Sequence, residues 1–234
     1  MKKFLFFWVT AFVFCNVWAQ DTNRVIINPA KQNESELFEK MHRYPQFVEG
    51  KAYYKNDDVT AAKLNYNYIT NRILFISPKG DTLELTHGEE FDKITIGVDT
   101  FCYHDKEFIQ QFTHYPAFNL FLKKSLRYNG REKKGAYGSY SATSASTSIS
   151  EMYASGDRSV SKLTTDENIM FVFENSYYLS GRYGKFYPAS KKGVYELFSK
   201  NQNQIREFLE TNKIDFNKKE DLEKLLNYAR TVLK

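Results

Sequence analysis

The sharpest local combination of reactive side chains is Cys102-Tyr103-His104. In an extended strand, Cys102 and His104 point to the same face, with Cα atoms about 6.6 Å apart. A thiolate and an imidazole placed in this way could act as nucleophile and general base. No third orienting residue or nucleophile motif accompanies them, so a packed structural thiol is the simpler interpretation. The pair therefore supports a hydrolase only as an alternative function.

The other titratable residues show no spacing typical of a metal site or a cofactor site. The four histidines lack the H-x-x-x-H and H-E-x-x-H patterns. Asp57-Asp58 and Glu89-Glu90 are carboxylate pairs of the kind that glycoside hydrolysis needs, but both lie in predicted turns where charges are solvated. The chain contains neither a phosphate loop nor a dinucleotide fingerprint. The sequence therefore predicts no metal and no cofactor.

Positive charge is concentrated in one segment, which we call the basic segment. It runs from residue 123 to residue 134 and contains a single acid, Glu132. Its basic residues are Lys123, Lys124, Arg127, Arg131, Lys133 and Lys134, with Tyr128 among them and Tyr137 and Tyr140 after them. Cations between aromatic rings could bind an anionic glycan, a lipid head group or an acidic envelope protein. The alternative is a solvated sheet edge whose lysines prevent pairing between sheets.

A second cluster is made of tyrosines in a predicted strand pair. It consists of Tyr177, Tyr178, Tyr183 and Tyr187. Surface tyrosines of this kind favour a contact with a protein or a glycan. A tyrosine-rich core explains the same pattern equally well.

A predicted antiparallel sheet must position these residues. The stretch from Phe47 to Tyr103 contains six alternating or continuous apolar runs separated by short turns. Because such turns cannot connect parallel strands, the stretch predicts an antiparallel meander, with Leu83 and Leu85 pointing inward. Further strands are predicted over 107–113, 118–128, 169–173 and 177–187. A helix also fits 118–128, but the alternation favours a strand.

Helices are predicted before and after the sheet. Asn33, with Glu36 three residues later, starts a short helix. Three amphipathic segments follow residue 190, and the last begins at a capping box formed by Asn217 and Glu220. Its apolar stripe must be buried against the sheet. The stripe contains Leu222, Leu225, Leu226, Ala229 and Leu233. The predicted fold class is therefore α+β, a curved antiparallel meander of roughly seven to ten strands with amphipathic C-terminal helices packed on it.

The first residues have the pattern of a secretory signal peptide. Two lysines precede the apolar run from Phe4 to Phe14, and small residues end at Ala19, so cleavage is predicted between Ala19 and Gln20. The run is shorter than the about 20 residues of a membrane anchor. Cys15 follows a phenylalanine, whereas a lipoprotein signal has a small residue there. We therefore expect a periplasmic or secreted protein whose mature chain has no transmembrane helix.

The predicted organisation is a single domain with a removable leader. Residues 1–19 are the signal peptide, and 20–46 are a tail or edge strand with a short helix. Residues 47–190 form the antiparallel β-domain with an exposed Ser/Thr-rich loop at 135–156, and 191–234 form helices packed on the same domain. The formal net charge of +5 includes two leader lysines, so charge gives no reason to expect a nucleic-acid partner.

The chain resembles a diffuse group of exported proteins from Bacteroidota bacteria. The resemblance is carried by the leader, the Ser/Thr-rich insert and the segments FVEGKAYYKNDDVTAAKLNYNYITNRILFISPKGDTLEL and IREFLETNKIDFNKKEDLEKLLNY. It covers most of the mature chain and implies a compartment and a topology, but it brings no known activity. We expect a non-enzymatic binding or complex-accessory module of the envelope for a protein, glycan or lipid. The alternative is an envelope hydrolase that uses Cys102 and His104.

Overall fold

The structure is a computed structural model that describes residues 23–134, 140–143 and 167–233. These residues form a twelve-stranded antiparallel sheet and four α-helices. The strands are β1 (Arg24–Ile27), β2 (Val48–Tyr54), β3 (Val59–Asn67), β4 (Arg72–Ile76), β5 (Thr82–Glu84), β6 (Phe91–Ile96), β7 (Asp99–His104), β8 (Glu107–His114), β9 (Phe118–Lys134), β10 (Tyr140–Thr143), β11 (Glu167–Gly181) and β12 (Phe186–Pro188). The helices are α1 (Glu34–Met41), α2 (Lys191–Leu197), α3 (Gln202–Thr211) and α4 (Lys219–Val232).

Two short meanders make up most of the sheet, where the sequence predicts one. Strands β2 to β5 pair in chain order, and so do β6 to β9. Strand β6 does not pair with β5 but lies beside β2, with Ala52 opposite Ile94. The connection of six residues from Leu85 to Glu90 can span roughly 20 Å, which is enough to return the chain past several strands. A short connection therefore did not require its two strands to be neighbours.

The sheet curls over a first core. The connection between β3 and β4 contacts β8 and β9, which are not neighbours of β3 or β4 in the sheet order. The amide of Phe108 donates to the carbonyl of Asn71 at 2.8 Å, and that of Leu126 donates to the carbonyl of Tyr68 at 2.8 Å. The enclosed side chains include Leu64, Ile73, Ile94, Ile96, Phe101, Phe108 and Phe171. These contacts join the connection between β3 and β4 to β8 and β9 around apolar residues from both meanders.

Strands β9 and β11 form the longest pair of the sheet. They align from Phe118 opposite Gly181 to Lys133 opposite Glu167, with a bulge beside Gly130, whose φ is +119°. This pairing confirms the strand prediction for 118–128. It also joins the predicted strand 169–173 to the start of 177–187, because the chain turns only after Gly181.

The C-terminal helices cover a second core on β9 and β11. Leu222, Leu225, Leu226 and Ala229 of α4 are fully buried, as the stripe predicts. They pack with Phe118, Leu120 and Leu179 of the sheet and with Val194, Phe198 and Ile205 of the preceding helical segments. The prediction that this helix packs on the sheet is confirmed.

The two predicted helix starts have different outcomes. The side chain of Asn33 accepts a hydrogen bond from the amide of Glu36 at 2.9 Å, as a capping box requires. Helix α4 instead begins after Lys218 and has no side-chain cap. The amide of Asn217 donates to the carboxylate of Asp215 at 3.0 Å, so this residue belongs to a turn before the helix.

Other predictions depart from the structure at the edge of the sheet. Leu83 is 46% exposed because β5 is a three-residue edge strand, whereas Leu85 packs against the first core as predicted. Tyr140–Thr143, inside the predicted loop 135–156, pairs with β9 as β10. The rest of that loop and the predicted signal peptide lie outside the described residues. Among the helices that are described, none is long and apolar enough to cross a membrane.

Candidate functional site

A groove of about 1150 Å³ lies on the face of the sheet opposite the first core. The alternation of the strands builds it: Ile94 and Phe101 point into the core, while Thr95, Thr100 and Cys102 point into the groove. The same face continues across β9, β11 and β12, where Phe121, Ser180 and Phe186 line it.

Aromatic rings form much of the groove wall. Phe121 meets Phe186 in an edge-to-face contact with ring centroids 4.9 Å apart. Tyr53 stands on the β2 side, and Tyr115 in the connection between β8 and β9. Tyr183 lies at the tip of the hairpin between β11 and β12 and is 99% exposed. The groove therefore presents both packed rings and one fully accessible ring to a ligand.

Three hydroxyl groups line the groove without a hydrogen bond to the described protein. They belong to Thr95, Thr100 and Ser180. Ser180 is only 3% exposed, so its hydroxyl has little access to water except through the groove. A hydroxyl that opens only onto the groove can hydrogen-bond to a ligand bound there, as donor or as acceptor.

The charges along the groove are mainly positive. Lys55, Lys93 and Arg182 line it together with a single carboxylate, that of Asp92. All four side chains belong to exposed residues. In the described parts of the chain, none of the three cations forms an ion pair, and the ammonium of Lys93 lies 5.2 Å from the ring centroid of Tyr53. Their positive charge is therefore available to a ligand.

Helix α4 supports one wall of the groove from behind. The ammonium of Lys219 lies 4.6 Å from the ring centroid of Phe112, and the guanidinium of Arg230 lies 4.8 Å from that of Tyr115. Both rings line the groove. Contacts between cations and aromatic faces thus connect the second core to the site.

Cys102 and His104 share the groove face of β7, as predicted, but their side chains do not contact each other through a hydrogen bond. The ring of His104 stacks on Phe186 with centroids 4.4 Å apart. No hydrogen bond joins the thiol to the imidazole in this fully described strand. Burial raises the pKa of Cys102 to about 11, helped by the nearby charge of Asp92, and desolvation lowers the pKa of His104. Near neutral pH the thiol is therefore protonated, and the imidazole is not arranged to activate it.

The basic segment lies within β9 and is paired with β11 on one side, whereas the pairing of β9 with β8 ends at Leu122. Beyond that point the connection between β3 and β4 covers the start of the segment, since the side-chain amide of Asn71 donates to the carbonyl of Lys124 at 2.9 Å. Three of its cations pair with acids on neighbouring strands. These pairs are Lys123 with Glu107 at 2.9 Å, Arg127 with Glu174 at 2.8 Å, and Arg131 with Glu167 at 3.6 Å. The cations lie on both faces of the strand, so they do not form one continuous patch. Binding by this segment stays a prediction.

The remaining members of the basic segment have other surroundings. The ammonium of Lys124 lies 4.2 Å from the ring centroid of Phe173, and burial lowers its pKa. Tyr128 packs against the first core. For Lys133 and Lys134 the structure gives strand positions only, beside β10. The segment thus contributes to packing and ion pairing within the sheet.

The tyrosine cluster divides between core and surface. Tyr177 packs against the second core, and Tyr178 meets His104 edge to face at 5.0 Å. The ammonium of Lys185 lies 4.8 Å from the ring centroid of Tyr187. Tyr183 is the member that lines the groove. Tyr177 therefore belongs to a core, as one interpretation has it, whereas a contact of Tyr183 with a protein or a glycan stays a prediction.

The described residues contain no group of three or more His, Cys, Asp or Glu side chains that could hold a metal ion. Asp57-Asp58 and Glu89-Glu90 are exposed, as expected for turn residues. Comparison with known proteins finds no matching family model, curated protein or solved structure. The groove is therefore interpreted from its own side chains.

Sequence reasoning had selected two of the groove residues, Cys102 and Tyr183. It missed the hydroxyls because Thr95, Thr100 and Ser180 lie on different strands and form no local motif. A weak signal was available in the hairpin of β6 and β7, where Thr95 and Thr100 occupy the face opposite Ile94 and Phe101. Pairing the non-core positions of neighbouring strands could have brought these two threonines together.

Proposed function

We propose that this protein is an exported, non-catalytic binding protein that holds a carbohydrate in the groove. The observation that carries the proposal is an open groove that combines aromatic rings with hydroxyls lacking a protein partner. A sugar ring has apolar C–H faces that pack on aromatic side chains and hydroxyls that both donate and accept hydrogen bonds. The aromatic rings of the groove can pack on the C–H faces of a sugar, and the hydroxyls of the groove can hydrogen-bond to those of the sugar.

The other ligand classes expected from the sequence fit the groove less well. A lipid chain favours an apolar pocket, whereas Thr95, Thr100 and Lys93 interrupt the apolar lining. A peptide that adds to a sheet needs an unpaired strand edge. The floor of this groove is the face of a sheet, on strands that already have neighbours on both sides.

The same side chains support binding without catalysis. The thiol of Cys102 has a raised pKa and no adjacent base. Glycoside hydrolysis typically uses two carboxyl groups, and Asp92 is the single carboxylate in the groove lining. Among the described residues, neither the thiol nor the carboxylate is thus part of an assembled catalytic group of the kind that the alternative, a hydrolase, would need.

Export is supported by the leader pattern. The predicted mature chain has a single cysteine and can form no internal disulfide, which fits a periplasm better than an animal extracellular space, where disulfide pairs are expected. The resemblance to exported Bacteroidota proteins supports the same compartment. We therefore propose a periplasmic or secreted location for the binding activity.

The proposal is tested by titrating the purified protein with a panel of oligosaccharides and recording calorimetric heats. We expect saturable binding of at least one class, weakened roughly tenfold by Ser180→Ala and by Tyr183→Ala, because each removes about one hydrogen bond or ring contact. Lys224→Ala, on the exposed side of α4, is the matched control. New reducing ends after prolonged incubation would replace the binding proposal with a glycosidase, and a panel without any binding would contradict it.

A further inference from the structure

We infer that the groove selects acidic sugars, meaning an oligosaccharide that carries carboxylate or sulfate groups. This inference rests on the proposed carbohydrate binding and adds the charge of the ligand. Its basis is the imbalance along the groove, where Lys55, Lys93 and Arg182 face one acid, Asp92.

The availability of these cations distinguishes them from those of the basic segment. Lys123, Arg127 and Arg131 have their charge balanced by Glu107, Glu174 and Glu167. Lys55, Lys93 and Arg182 are exposed and have no carboxylate partner among the described residues. An anionic ligand would gain their attraction without first breaking an ion pair of the protein.

The cations stand on opposite sides of the groove. Lys55 and Lys93 lie on the side of β2 and β6, whereas Arg182 lies on the hairpin between β11 and β12. In the sheet order β6 and β11 are four strand spacings apart, which is at most about 19 Å. A chain that crosses the groove would thus meet a cation near each end, with the hydroxyl of Ser180 close to Arg182 and that of Thr100, on β7, between the two sides.

The type of each cation fits an oxyanion on a sugar. A guanidinium binds a carboxylate or sulfate through two parallel N–H groups, and an ammonium acts as a compact point charge. Two of the three cations have an aromatic residue nearby: the ammonium of Lys93 lies 5.2 Å from the ring centroid of Tyr53, and Tyr183 directly follows Arg182 in the hairpin between β11 and β12. A ring and a cation side by side match a sugar ring with an anionic substituent.

The decisive experiment compares ligands that differ only in charge. Tetragalacturonate carries carboxylates, and its fully methyl-esterified form is the neutral match of the same length. A carrageenan tetrasaccharide and its desulfated form make the corresponding pair for sulfate. Calorimetric titration should give at least tenfold tighter binding for one acidic member than for its neutral match. Raising NaCl from 0.05 to 0.5 M should remove most of this difference, since the Debye length falls from about 14 Å to about 4 Å over this range.

Variants assign the effect to the groove. Lys93→Gln and Arg182→Gln should each reduce the preference for the acidic over the neutral ligand about fivefold or more. Lys224→Gln removes an exposed cation on α4 and should leave both unchanged. Because all three side chains are exposed, thermal melting should confirm that each variant folds.

The outcomes separate this inference from the function on which it rests. Equal affinity for acidic and neutral members, or binding of neutral members alone, would overturn the acidic selectivity and retain carbohydrate binding. Absence of binding to every oligosaccharide would overturn both. Phosphatidylglycerol vesicles test an anionic lipid surface as the ligand. If the protein binds these vesicles more tightly than either acidic tetrasaccharide, and the vesicles displace the tetrasaccharide, the inference is wrong.

Discussion

At the scale of single residues, Cys102 illustrates how environment determines reactivity. Its thiol lines an open groove, yet burial raises its pKa to about 11, so only a minute fraction is thiolate near pH 7. We expect slow alkylation by iodoacetamide at pH 7 and a rate that rises steeply towards pH 11. Cys102→Ser should preserve sugar binding and cost about 1 kcal/mol of unfolding free energy, for placing a hydroxyl in a partly buried position.

Alkylation followed by mass spectrometry, together with chemical denaturation, checks the prediction for Cys102. Rapid alkylation at pH 7 would show that the thiol is activated. If Cys102→Ser lost a measured activity without a change in unfolding free energy, the thiol would again be a candidate catalytic group.

His42 gives the fold a dependence on pH. It is buried at the end of α1, where its Nδ1 lies 2.8 Å from the carbonyl of Phe38 and its Nε2 lies 3.3 Å from the amide nitrogen of Asn67. Desolvation lowers its pKa to about 4, although the hydrogen bond to Phe38 acts in the opposite direction. Because the unfolded chain binds this proton first, stability is complete above about pH 6.5 and decreases as the pH falls towards 4.

The corresponding prediction is a loss of about 2 kcal/mol of unfolding free energy between pH 7 and pH 5 from this residue. Urea denaturation at both pH values measures it. In His42→Gln this loss should largely disappear, whereas His87→Gln, at an exposed turn position, should keep it. An equal pH dependence in the wild type and in His42→Gln would contradict the assignment.

At the scale of elements, α4 has two roles that belong to different faces. Its apolar stripe completes the second core, and its cations Lys219 and Arg230 contact two rings of the groove wall. The helix therefore connects the stability of the fold to the shape of the site. A loss of α4 packing should affect both properties.

Leu226→Ala tests this packing because the side chain is fully buried. Removing a buried leucine side chain typically costs about 2–5 kcal/mol, so the melting temperature should fall clearly. Lys224→Ala, two positions away on the exposed side of the same helix, should have little effect. Differential scanning calorimetry of the two variants measures the contrast; small and equal effects would mean that α4 is not part of the cooperative unit.

At the scale of the whole molecule, local patterns predicted local structure. The Asn33 cap and the α4 stripe depend on residues three or four positions apart, and both are present. The return of β6 to β2 depends on contacts between distant residues, such as Ala52 with Ile94, which no local pattern encodes. Asn217 had the residue type of a cap, but Asp215 binds its backbone amide instead.

The same distinction applies to the candidate site. A charge count selected the basic segment, but acids on neighbouring strands pair with several of its cations, and their proximity is a property of the sheet. The groove combines single residues from separate strands, among them Thr95 and Ser180, and so left no local signature. Strand alternation predicted which face Cys102 and His104 share, but it could not predict the stacking of His104 on Phe186.

The last prediction concerns where the mature chain begins. Strand β1 starts at Arg24 and pairs with β11, and its last residue, Ile27, is fully buried in the first core. The carbonyl of Asn23 accepts a hydrogen bond from the amide of Phe173 at 2.8 Å. Cleavage after Ala19 would therefore leave this strand complete, whereas a chain that begins at Asn28 would lose it.

We expect the intact mass of the exported protein to correspond to a chain that begins at Gln20. A version that begins at Gln20 should fold cooperatively, and one that begins at Asn28 should be less stable by roughly 2–5 kcal/mol, since it loses a buried isoleucine and a strand pairing. Urea denaturation of the two versions measures the difference. A mature protein lipidated at Cys15, or one that retains its leader, would overturn the proposed export route, and equal stability of the two versions would show that β1 adds nothing to the fold.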